Sequence, residues 1–150
     1  MRKLRGLCAA IAMLFACGAA GAEEAEIDLY DLGHTLARCA GFYKMAASIA
    51  QKAGKPAAAD HLSNLHRGWM LAGAYAIGAA GEGKSVVAQP VQVATGLADS
   101  RATELLAKLE LDPGAVLAMK SEHDRVCEPL TPYQVKLVDM MRRSAAGVRP

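Results

Sequence analysis

Three residues carry most of the chemistry that this sequence could offer: Cys39, His123 and Cys127. His123 stands four residues before Cys127, about one helical turn, so a helix would put both side chains on one face. Two thiolates and an imidazole are donors that suit a soft metal such as copper or zinc. In an oxidising compartment the same two thiols would form one disulfide instead. Closing so long a loop would contribute about 4–5 kcal/mol by restricting the unfolded chain. A third chemistry, a cysteine nucleophile with a histidine base, needs a reduced and exposed thiol. Both cysteines fall on apolar helical stripes, which argues against it. The expectation is a Cys39–Cys127 disulfide, with a metal site through His123 as the alternative.

The remaining histidines fit no site. His34 points away from the Leu29/Leu36 stripe of its segment and is expected on the surface. His61 and His66 are five apart, about 140° around a helix, whereas histidines that share a metal usually stand three or four apart. There is no CxxC redox pair, CxxCH haem-attachment motif, GxSxG elbow, phosphate-binding GxxxxGK[ST] loop, HExxH or EF-hand loop. Met45, Met70, Met119, Met140 and Met141 could ligate a haem, but methionines at helical spacing usually fill a core. No cofactor is expected. Glu104 and Glu110 suit a solvated face. Asp28 and Asp31 suit the N-cap and first turn of a helix.

One segment could serve a partner. From Trp69 to Ala80 the chain carries no charge, yet it is too short to span a bilayer. Such a stretch packs as a central helix through its Gly and Ala residues, or it presents an apolar face to a partner or a second copy. On the second reading Trp69 and Tyr75 are the anchors, because aromatic residues dominate binding hot spots.

The N-terminus reads as an address. Met1-Arg2-Lys3-Leu4-Arg5 is basic, Gly6 to Ala20 is uncharged, and Ala20-Gly21-Ala22 is a small-residue cleavage site before Glu23. Those parts in that order describe a secretory signal peptide, residues 1–22, followed by one domain, 23–150. Leu14-Phe15-Ala16-Cys17 resembles a bacterial lipobox, in which Cys17 would be acylated. The bulky Phe15 departs from that pattern, so the lipid-anchored form is the lesser alternative. Cleavage after Ala22 leaves 14 of the 17 basic residues against 15 acidic ones, a net charge of −1. A near-neutral chain with 5% aromatic residues has no footprint for nucleic acid.

The elements that position these residues are marked by Gly and Pro. Gly54-Lys55-Pro56 stops one helix and starts another; Pro90 and Asp112-Pro113 allow further starts. Thr131-Pro132-Tyr133-Gln134 has the form of a capping box. Between the marks, apolar residues recur in steps of three and four, as in Leu29, Leu32, Leu36, Cys39 and Tyr43, or Leu62, Leu65, Trp69, Ala72 and Ala76. The third stripe holds Ala94, Leu97, Arg101 or Ala102, and Leu105; the fourth holds Met119, His123, Val126 and Cys127; the last holds Val135, Val138 and Met141. This pattern predicts helices near 28–53, 56–80, 90–111, 113–128 and 132–145. The short connections make them an up-and-down all-α bundle of four to five helices, with the disulfide joining helix one to the end of helix four.

The expected protein is a small exported one of the periplasm or envelope, with a binding or structural role, no catalytic frame and no transmembrane helix in its mature chain. Its partner would be a protein of the envelope or a second copy. Inhibition of a wall-acting enzyme through residues 82–90 is a further alternative.

Overall fold

Among the described residues the first helix starts at Asp28, whose carboxylate accepts hydrogen bonds from the backbone N–H of Tyr30 (2.8 Å) and of Asp31 (3.3 Å). An aspartate at this position satisfies amide donors that the first helical turn leaves unpaired. The computed structural model describes residues 28–81 and 90–145. The leader with Cys17, and residues 82–89 of the 82–90 stretch, lie outside the described residues. The helices among the described residues are α1 (Leu29–Lys52), α2 (Pro56–Ala80), α3 (Pro90–Leu111), α4 (Val116–Cys127) and α5 (Thr131–Ala145). Short 3-10 turns at Pro113–Ala115 and Glu128–Leu130 lead into α4 and α5. There is no strand among the described residues, and none of the described helices is long and apolar enough to cross a membrane.

The corner between α1 and α2 shows how the punctuation works. Gly54 takes φ 67°, a left-handed conformation that glycine adopts without steric cost. Its N–H donates to Gln51 O (3.1 Å), and that of Lys55 to Ala50 O (2.9 Å), the paired bonds of a Schellman termination. Pro56 then occupies the first turn of α2, where no amide donor is needed.

α1 is the central rod. α2 returns antiparallel to it, with Gly33 beside Gly73 and Ile77, and Ala40 beside His66. α3 runs parallel to α1, with Ala37 near Ala94, Gly41 against Ala98, and Met45 near Ala102. Glycine sets these crossings. A Cβ on Gly33 would lie 2.8 Å from Ile77 N and 2.9 Å from Gly73 O. One on Gly41 would lie 2.6 Å from Ala98 O. No side chain fits there, so the backbones meet directly.

The core is correspondingly rich in alanine. Ala40, Ala72, Ala76 and Ala98 surround Leu36, Trp69, Leu137 and the two cysteines, while Met45, Ala102, Leu105 and Met119 form a second cluster. No polar or charged residue is fully buried among the described residues. The bundle prediction holds, including the link from helix one to the end of helix four: Cys39 and Cys127 are bonded, with Cα atoms 5.9 Å apart.

Three expectations are corrected. Thr131 has helical dihedrals (φ −53°, ψ −44°) and is not an N-cap, because the 3-10 turn at Glu128–Leu130 carries the helix straight into α5. α5 buries Leu137 rather than Val135, which is exposed. His34 is half-buried rather than solvated: it lies against Tyr30, ring centroids 4.3 Å apart, and its Nε2 is buried. With α2, α3 and α4 all packed on α1, the side opposite the leucine stripe is not free.

Candidate functional site: a cleft over the disulfide and an apolar groove

Cys39 lies on α1 and Cys127 ends α4, so the bridge fastens the fourth helix to the first. Beside it opens a cleft of about 230 Å³, between α1, α3 and α4. Phe42, Leu105, Met119 and Val126 supply its apolar lining; Arg38, Arg101, Glu122 and His123 supply its polar edge. His123 stacks on Phe42, ring centroids 4.1 Å apart and planes 15° apart, and meets Tyr43 edge-on at 4.9 Å. Burial holds the imidazole below its ordinary pKa, which favours the neutral ring. Tyr43 is pushed up, first by burial and then by the charge of Asp124. On the exposed side of α4, Lys120 pairs with Asp124.

Arg101 organises the charges. Its side chain is only 15% exposed and reaches Glu104 at 3.1 Å and Glu122 at 3.1 Å. Arg38 also lies 3.5 Å from Glu104. The guanidinium thus ties α1, α3 and α4 through shared carboxylates, and its hydrogen bond is the main reason that Glu104 titrates below its usual range. Glu104, expected only to suit a solvated face, also pairs with Arg38 and Arg101.

The three residues singled out for metal or thiol chemistry therefore do meet at one place. Two of them are spent on each other: a disulfide offers no thiolate to a metal. No group of three or more His, Cys, Asp or Glu side chains with metal-binding geometry occurs among the described residues. His61 is exposed on α2, whereas His66 is half-buried with its Nδ1 3.1 Å from Ala40 O. Nothing in their local sequence marks Phe42, Arg38 or Glu122 as lining this cleft. Arg101 had left a trace, a charge at a position where the α3 stripe calls for an apolar residue.

The uncharged stretch of α2 divides its two aromatics. Trp69 is 3% exposed and packs with Leu36, Ala40 and Cys127. It is a core residue and is not available to a partner. Tyr75 lines an apolar groove of about 380 Å³ with Leu71, Ala74, Gly78 and Ala79 of α2, Pro90 and Val91 of α3, and Met141 of α5. Val91 is exposed at its rim. No local pattern links Pro90, Val91 or Met141 to Tyr75, because they are distant from it in the chain. No protein-family model, curated protein or solved structure matches this chain.

Proposed function

We propose that the chain is a small exported helical protein of the bacterial periplasm or envelope that works by binding a partner protein, without catalysis. The basic, apolar and small-residue leader supports export, and a disulfide that closes most of the domain suits an oxidising compartment. The observation that carries the binding role is the groove lined by Leu71, Ala74, Tyr75, Val91 and Met141, a concave apolar surface without a charged lining residue. Cross-linking of the mature protein in envelope extract, followed by mass spectrometry, tests it. The wild type captures one stoichiometric partner, and Val91→Lys and Met141→Lys lose it while keeping the wild-type Tm. Equal capture by both variants overturns the role of the groove. Mass analysis of the exported N-terminus separates the soluble form, beginning at Glu23, from a form acylated on Cys17.

A second reading keeps the metal. Cys39, Cys127 and His123 share one cleft, so a reduced protein would bring two thiolates and an imidazole together. Equilibrium dialysis of reduced protein against Cu(I) and Zn(II) addresses it. Failure to bind stoichiometrically, or binding unchanged in His123→Ala, removes this reading.

A further inference from the structure

We infer that the cleft beside the bridge is a thiol-exchange site, through which a low-molecular-weight thiol reaches the Cys39–Cys127 disulfide without unfolding of the protein. The two cysteines have little surface of their own, 2% and 4% exposed, yet both line the cleft. Half-buried Thr35 and exposed Arg38 line it from α1, and exposed Val126 lines it from α4. A volume of about 230 Å³ admits a molecule the size of cysteine. Access, rather than burial of the residue as a whole, governs the rate of exchange.

The chemistry balances with the thiol as its only co-reactant. A thiolate RS⁻, its proton given up to water, attacks one sulfur of the bridge. A new S–S bond forms to R, the Cys39–Cys127 bond breaks, and the other cysteine leaves as a thiolate. A second thiol then attacks the mixed disulfide and releases RSSR, so the bridge gains two electrons and two thiols lose them. Arg38 and Arg101 line the same cleft and bring positive charge towards the sulfur anions, and Glu104 and Glu122, with which they pair, offset part of it. The product has a structural meaning. Only Met119 and Cys127 of α4 are buried, so the mixed disulfide leaves this helix held by little more than Met119, the His123 stack and the Arg101–Glu122 pair.

The site is independent of export and of the apolar groove, and its test reads neither. Native protein is incubated with free cysteine, quenched by alkylation at intervals, and weighed intact. The expected course is a cysteine adduct that forms at a rate linear in thiol concentration and unchanged by low urea. A rate that saturates at the global unfolding rate, or that climbs with low urea, overturns the proposal. Val126→Trp, which puts a bulky ring at a lining position of the cleft, slows adduct formation about tenfold, since exchange depends on access to the sulfur. Val93→Trp, at a site with the same 37% exposure but outside the cleft, leaves the rate unchanged. Equal rates in the two variants count against the cleft as the route.

Discussion

Single atoms decide most at the glycine crossings. Gly33, Gly41 and Gly73 each have a neighbouring backbone atom 2.6–2.9 Å from where a Cβ would stand. Adding that methyl forces two helices apart rather than moving a side chain. Gly33→Ala and Gly41→Ala are expected to lose roughly 1–3 kcal/mol or more, measured by urea denaturation. Gly96, within α3, has nothing within 4 Å of its would-be Cβ, and Gly96→Ala should gain about 0.5–1 kcal/mol by helix propensity. His123 gives a pH dependence with a definite sign. Its native pKa lies below the ordinary 6.5, so acid gives the unfolded chain a proton that the buried ring refuses. Stability at His123 is therefore full above about pH 7 and declines as pH falls through 6.5 towards the native pKa. Denaturation at about pH 7.5 and about pH 5 should show that loss, and His123→Phe should reduce it. These residue-scale facts were the least legible in the sequence. Glycine and alanine carry no hydropathy contrast, so the side of α1 that meets α2 and α3 through Gly33, Ala37 and Gly41 stayed hidden behind the leucine stripe.

At the scale of elements the sequence reads well, because the chain is punctuated by residues with fixed backbone demands. Gly54 before Pro56, Pro90, and Asp112 before Pro113 place four helix ends by conformational necessity. Asp112 caps its turn through Gly114 N at 2.9 Å. Thr131-Pro132 misled for the same reason: a motif sufficient for a helix start is redundant where a 3-10 turn already delivers helical backbone. The groove was invisible because its walls come from α2, α3 and α5, and no local pattern announces that they converge. α4 is the element most dependent on covalent help. In hydrogen-exchange measurements, reduction should deprotect the amides of Val116–Cys127 well before those of α1 and α2, which pack against each other along most of their length. Uniform loss of protection across the five described helices would contradict that order.

For the molecule as a whole, the bridge is a large share of the margin between folded and unfolded states. The double variant Cys39→Ala, Cys127→Ala is expected to lose about 2–5 kcal/mol, against a typical net stability of about 5–15 kcal/mol for a domain. Thermal melts with and without reductant would measure it, and a change under about 1 kcal/mol would contradict a long-range constraint of this kind. The core itself is light. Its largest fully buried side chains are Leu36, Met45, Ile77 and Leu105, with alanines between them, so cohesion comes from close backbone approach as much as from bulky apolar volume. The position of the bridge has one last consequence. It joins a residue in the first helix to one near the end of the fourth, and most of the chain lies between them. A protease that cuts once anywhere from Ala40 to Val126 would leave two fragments still covalently joined. The nicked protein would keep its size on a non-reducing gel and come apart only when reductant is added.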